Sequence, residues 1–92
     1  MGRGVIFAAT VEVSALDGIS DPEAATIERS LPLLGFESIS DLRAGRIFRF
    51  SVQAADEQAA RTVTEDLAHR LLANPVIQQA VVSVRAADEG PA

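Results

Sequence analysis

The stretch Leu71-Leu72-Ala73-Asn74-Pro75-Val76-Ile77-Gln78 separates the chain's longest helical pattern from its most β-branched run. Asn74 tolerates the left-handed or capping geometry of a helix end, and Pro75 lacks the backbone N–H that another turn would need. The helix must stop there, and Val76 and Ile77 must open an extended segment that returns to a sheet. This pivot contains no nucleophile, general base or metal ligand, which favours a structural or partner-binding role over catalysis.

Upstream, Val5 to Ser14 alternates with Val5, Phe7, Ala9, Val11 and Val13 on one face and Ile6, Ala8, Thr10, Glu12 and Ser14 on the other. This predicts a strand whose first half is apolar on both faces, as if something covers each. Asp17-Gly18 signals a turn. Asp21-Pro22-Glu23 then has the chemistry of a helix start: a capping carboxylate, a proline whose missing N–H costs nothing, and negative charge at the positive end of the dipole. Ala24, Ile27, Leu31 and Leu34 mark that helix's expected buried stripe, Gly35 its stop, and Pro32 a kinked or tightened last turn.

Phe36 to Ala44 reads as a modest strand joined through Ala44-Gly45 to a stronger one over 46–52, together a hairpin with Phe48, Phe50 and Val52 facing the helices. Asp56 caps a second helix with the stripe Ala60, Val63, Leu67 and Leu71, running to about Ala73. Ala80, Val82 and Val84 alternate with Val81, Ser83 and Arg85 in a last strand, and 86–92 forms a polar tail expected to be mobile. The order strand, helix, strand, strand, helix, strand predicts a single α+β domain over 1–92, with an ordered core at about 5–85. Its expected form is a ferredoxin-like βαββαβ two-layer sandwich with both helices on one face of an antiparallel sheet. Ile6, Ala8, Ile47 and Val81 would then share the uncovered face, a candidate dimer surface.

Composition narrows the function classes. The 92 residues include no Cys and a single His, so thiolate chemistry is excluded and a metal site would need His69 plus carboxylates. A net charge of −5 argues against broad nucleic-acid binding, and no apolar run approaches the roughly 20 residues of a membrane span. A soluble, cytoplasmic protein is the expectation. All eight cations are arginine; nothing in the sequence explains that. Sixteen residues are alanine and only four are aromatic, so large core side chains are scarce, and a domain this small is expected to be marginally stable or to oligomerise, the second being the default reading.

Gly18, Asp21-Pro22, Leu34-Gly35-Phe36, Leu42-Arg43-Ala44-Gly45-Arg46 and Leu71 to Ile77 occur in an order and spacing that resembles the small PurS-type subunit of formylglycinamide ribonucleotide amidotransferase, or phosphoribosylformylglycinamidine synthase. The resemblance spans about residues 5 to 85. It implies a non-catalytic, homodimeric or tetrameric assembly subunit of a purine-biosynthetic ligase complex, one that uses ATP, Mg and glutamine. The small subunit would hold no cofactor itself. It would bridge a large synthetase subunit and a glutaminase subunit and support ammonia transfer. The chain departs from the family pattern at Leu16, where Lys is usual, at Glu23-Ala24 for Gln-Gly, at Arg46 for Lys, and at Gln78 for an acidic residue. The alternative class is a stand-alone ferredoxin-like ligand-binding or regulatory dimer, since one fold hosts many functions.

His69 with Glu65 and Asp66 nearby lies off the expected stripe and is read as an exposed helix residue. Asp17, Asp21 and Glu23 are read as turn and capping groups rather than an acid-base or metal cluster. The basic cluster Arg43, Arg46 and Arg49 is the best interaction candidate, with Arg43 and Arg46 flanking the Ala44-Gly45 turn; the alternative is that charged side chains on a sheet edge discourage edge-to-edge aggregation. Asn74 and Pro75 join these two as a candidate partner interface by resemblance. No catalytic or metal-binding residue is expected.

Overall fold

The computed structural model describes residues 4–87. In chain order these form strand β1 (Val5–Ala15), helix α1 (Pro22–Ser30), a 3-10 turn (Pro32–Leu34), strand β2 (Gly45–Ala54), helix α2 (Glu57–Leu67), a π-helical turn (Ala68–Leu72) and strand β3 (Gln78–Ala86). The strands make one antiparallel sheet in the order β2-β1-β3, with Val11 opposite Phe48 on one side and Val82 on the other. The fold is α+β and ferredoxin-like. Of the expected tail, Ala86 ends β3, Ala87 follows it, and 88–92 lie outside the described residues.

The predicted signals at the helix starts are the ones used. The Asp21 carboxylate accepts from the Ala24 N–H at 3.1 Å, and the Asp56 carboxylate accepts from the Ala59 N–H at 2.8 Å. Pro32 does tighten the chain: α1 ends at Ser30 and Pro32 opens the 3-10 turn, closed by Gly35 at φ 89°.

The expected strand over 36–44 is absent, and with it the hairpin. Its apolar residues Phe36, Ile39 and Leu42 fall three apart, not two. Asp41 has a left-handed φ of 57°, which breaks extension. The segment's donors are also taken: the Leu42 N–H bonds to a Glu28 carboxylate oxygen at 3.3 Å and the Ala44 N–H to the other Asp21 oxygen at 3.4 Å. The connection therefore docks on α1 instead of adding a strand. Gly45 begins β2, not a tight turn, and a β-carbon there would collide with the Val13 carbonyl of β1.

α2 packs on all three strands, whereas α1 packs principally against the 3-10 turn that follows it. The expectation that both helices cover the sheet is corrected accordingly. The apolar stripes are corrected too. On α2 the buried positions are Ala60, Thr64 and, in the π-helical turn, Ala68, while Val63 is 52% and Leu71 74% exposed. Small residues every fourth position let the helix approach the sheet closely, and the Thr64 hydroxyl is satisfied by donating to the Ala60 carbonyl at 2.8 Å. Against them lie two groups, Phe7, Ala9, Val52 and Val84 around Ala60, and Val11 and Val13 around Ala68. On α1 only Ala24 is buried; Leu34 is exposed.

The protomer is consequently long and thin. Its radius of gyration is 17.0 Å with a longest extent of 59 Å, against about 12 Å expected for a compact chain of this length.

The α2 contact makes the first prediction. Ala60→Leu should lower stability by about 1–3 kcal/mol through overpacking, whereas Val63→Ala should change it by no more than about 0.5 kcal/mol. Urea unfolding midpoints of the two variants check this, and equal losses would mean that the larger side chains carry the core.

Candidate assembly surfaces

Two groups of surface residues stand out, and the open face of the sheet is the first. The strand registers place Ile47, Glu12 and Val81 in one row across it, Arg49, Thr10 and Ser83 in the next, then Ser51, Ala8 and Arg85, and finally Gln53 beside Ile6. Ile6, Ile47 and Val81 are exposed and Ala8 is half-buried. The four candidate dimer-face residues thus do share a face, as two separated groups. Ile47 and Val81 flank Glu12 toward one end, and Ile6 and Ala8 lie about 14–20 Å along β1, at roughly 3.4 Å per residue.

The arginine cluster does not survive as a unit. Arg46 lies opposite Val13, on the helix side of the sheet, whereas Arg49 lies opposite Thr10 on the open side. Arg43, in the irregular connection, pairs with Asp17 at 2.6 Å, both side chains being more than half exposed. The hydrogen bond and charge of Asp17 raise the Arg43 pKa further above the ordinary arginine value. The pair joins the loop after β1 to the segment before β2.

Asn74 and Pro75 occupy the turn between the π-helical turn and β3. The Asn74 N–H donates to the Gln78 side-chain oxygen at 2.8 Å and the Gln78 N–H donates to the Asn74 carbonyl at 2.7 Å. The Asn74 side-chain oxygen accepts from the Val76 N–H at 3.1 Å. The Leu16 N–H then bonds to the Ile77 carbonyl at 2.9 Å, fastening this turn to the end of β1. Gln78 supplies the side-chain oxygen that this turn uses. The two basic candidates and this turn lie toward the same end of the sheet, next to the Ser14–Gly45 and Ala15–Gln78 pairs.

The second group was not foreseen. Ile27, Leu33, Leu34, Phe36 and Ile39, on α1 and the segment after it, are all exposed, Leu33 by 86%. They form an apolar arm beside the sheet. The available signal was an excess: Leu33 and Leu34 follow Pro32 directly, and one helical stripe cannot bury both.

His69 is exposed on the π-helical turn, lining an open cleft of about 340 Å³ with Arg61, Glu65 and Pro75. Arg61 is committed within it, lying 3.8 Å from Glu65 and donating to the Val82 carbonyl at 3.4 Å. Among the described residues no group of three or more His, Asp or Glu side chains could hold a metal. No helix there is long and apolar enough to cross a membrane.

Comparison with known proteins follows the same lines. Residues 8–86 match the family model of PurS, described as phosphoribosylformylglycinamidine (FGAM) synthase. The FGAM synthase subunit PurS of Methanothermobacter thermautotrophicus is 38% identical, over 85% of this chain and 92% of its own. The crystal structure of Methanocaldococcus jannaschii PurS, one of the subunits of formylglycinamide ribonucleotide amidotransferase, superimposes with a TM-score of 0.76 at 29% identity, over 87% of this chain and 96% of its own. A chain in the structure of PurLQS from Thermotoga maritima superimposes with a TM-score of 0.78 at 26% identity, over 87% of this chain and 98% of its own.

The Asn74 turn gives the second prediction. Gln78→Met should lower stability by about 1 kcal/mol by leaving the Asn74 N–H without its partner. Gln78→Glu, which restores the oxygen, should stay within about 0.5 kcal/mol of the native chain in the same urea titration.

Proposed function

This chain belongs to the PurS family, and on that premise we propose that it is the small assembly subunit of an FGAM synthase complex, a cytoplasmic ligase of purine biosynthesis. The family match over nearly the whole described chain carries the proposal. The assembly-subunit class fits the comparisons, and the stand-alone regulatory dimer does not.

The physical argument runs from surfaces to role. The protomer leaves many large apolar side chains exposed, among them Leu33, Leu34, Phe36, Ile47 and Val81. One surface is the open sheet face, the other the α1 arm, and they belong to different parts of the molecule. A subunit with two such surfaces can touch two bodies at once, as a bridge requires. The arm suits the heteromeric contact, with Arg43 and Arg46 at the end of the sheet that it adjoins supplying charge for carboxylates on a synthetase or glutaminase surface. Asn74 and Pro75 act in this account by holding the shape of the adjacent turn. ATP and Mg are handled by the large synthetase subunit and glutamine by the glutaminase subunit, and this chain acts on ammonia transfer by keeping the two in register.

The purified chain should turn over neither glutamine nor ATP, yet adding it to synthetase and glutaminase subunits should raise glutamine-dependent FGAM formation. Leu34→Asp should weaken that stimulation at least about tenfold in half-saturating concentration, as expected when a charge is placed in an apolar contact, while leaving the circular dichroism spectrum unchanged. Stimulation by the variant equal to that of the native chain would remove the arm from the interface.

A further inference from the structure

We propose that the outer edge of β3 receives an extended segment of a partner chain of the ligase complex. That segment pairs with the backbone of Ala80, Val82 and Val84 and lays a small apolar side chain in the cleft beside His69. The edge and its cleft are features of this chain alone, and the inference rests on the assembly reading above only for the identity of the partner.

Backbone contacts fix which way the groups of β3 point. In an antiparallel pair, residues directly opposite one another alternate between exchanging two hydrogen bonds and exchanging none. The Leu16 N–H donates to the Ile77 carbonyl at 2.9 Å, and these two continue the register in which Ala15 lies opposite Gln78 and Ser14 opposite Gln79. Gln79, Val81 and Ser83 therefore bond to β1, while Gln78, Ala80, Val82 and Val84 turn their N–H and C=O groups outward. Three further contacts agree with this phase. The Gln78 N–H is taken by the Asn74 carbonyl at 2.7 Å, off the sheet. The Val82 carbonyl accepts from the Arg61 side chain at 3.4 Å. The Val13 carbonyl points the other way, to β2, where it bars a β-carbon on Gly45.

Among the described residues the sheet ends at β3, and this edge lacks the usual guards against pairing. Its register runs unbroken over 78–86 and it contains no proline. Arg61 sits on it loosely, 3.4 Å from the Val82 carbonyl and 3.8 Å from Glu65. A strand N–H can take over that carbonyl and leave Arg61 to Glu65, so the rim stays neutral and calls for no charge on the visitor. The cleft sets which side chain fits. Ala80 and Val82 line it from the edge strand, Ala68 and Ala73 from the π-helical turn, around a volume of about 340 Å³. Ala80 is exposed and Val82 half-buried, so the space beside the edge is open. The turn that walls it is closed by the Ala73 N–H on the Ala68 carbonyl at 2.9 Å, and such turns recur at functional sites. A strand added to β3 places every second side chain on the helix side of the sheet, where small apolar residues meet this alanine-lined space. Backbone pairing then supplies the affinity and the cleft the selectivity.

Amide hydrogen exchange of the full chain, resolved by residue with NMR, is the test. In the isolated chain the Val81 and Ser83 amides should be protected, and those of Ala80 and Val82 should exchange at least about tenfold faster. Adding the synthetase or the glutaminase subunit should slow Ala80 and Val82 at least about tenfold. Protection of these two amides in the isolated chain would overturn the proposal, because a second copy or a group of the same chain would then hold the edge. Protection gained at Ile47 and Arg49 of β2 instead would overturn it too, by moving the site to the opposite edge. Ala80→Pro removes one outward N–H and should keep the circular dichroism spectrum, since proline is tolerated on the solvent side of an edge strand. It should nonetheless weaken partner binding at least about tenfold; binding equal to that of the native chain counts against the site. Val81→Pro, which deletes an N–H spent on Glu12, should unfold the chain, so the two prolines check the phase. Binding of the native chain is measured separately by sedimentation. A subunit that binds without slowing Ala80 and Val82 overturns the edge site and leaves the assembly reading standing, whereas failure of both subunits to bind sinks that reading and the proposed occupant with it.

Discussion

The structure depends on the close seating of α2 on β1. β1 is the central strand, bonded on both sides, and its helix-facing residues Phe7, Ala9, Val11 and Val13 are all buried. The helix can come down on them because it presents Ala60, Thr64 and Ala68, none of which adds bulk. With so few large side chains in the chain, dispersion must come from short interatomic distances rather than from large buried residues. The π-helical turn extends this seating by one more turn, setting Leu72 and Ala73 against the second buried group. It ends at Ala73, whose N–H reaches back to the Ala68 carbonyl at 2.9 Å. Asn74 can then turn the chain into β3, whose Val82 and Val84 complete the layer under α2.

One consequence of a core made of small residues is that the larger ones are left for other uses. Val63, Leu71, Val76, Leu33 and Leu34 are all exposed. A single protomer has no second layer to place over them, and the 59 Å length of the chain reflects that. In an obligate subunit this distribution is economical, because the residues that would enlarge a private core serve instead as contact surface.

What the sequence disclosed follows the range of each signal. β1, the two carboxylate caps, Gly35 and the Asn74-Pro75 stop were legible because each is set within a few residues, by alternation or by capping chemistry. The residues of the open face were legible for the same reason, since a period of two assigns sides without knowledge of the partner strand. The α2 stripe was misread because hydrophobic size was taken as the guide to burial, which selects Val63 and Leu71 over Thr64 and Ala68. The strand expected over 36–44 failed for a long-range reason: its N–H groups at Leu42 and Ala44 are claimed by Glu28 and Asp21, 14 and 23 residues upstream. Without that hairpin the arginine cluster had no scaffold to hold it together, so the candidate site built on it separated into Arg43 with Asp17, Arg46 on one face and Arg49 on the other.

The same two carboxylates explain how an arm with little sheet contact holds a shape. Asp21 serves two donors at once, capping α1 through Ala24 and binding the chain at Ala44, while Glu28, about two turns further along the same face of α1, holds Leu42. The ion pair of Arg43 with Asp17 closes the base, where the arm leaves β1 and enters β2. Every one of these bonds lies within 17–44, so the arm is ordered by its own polar contacts and not by burial of its apolar residues. A surface organised in this way reaches its partner already shaped, and less ordering entropy is lost on association than for a segment that must fold as it binds. Apolar residues that would normally drive folding are thereby kept exposed at no cost to the arm's geometry, which is the condition a bridging subunit has to meet.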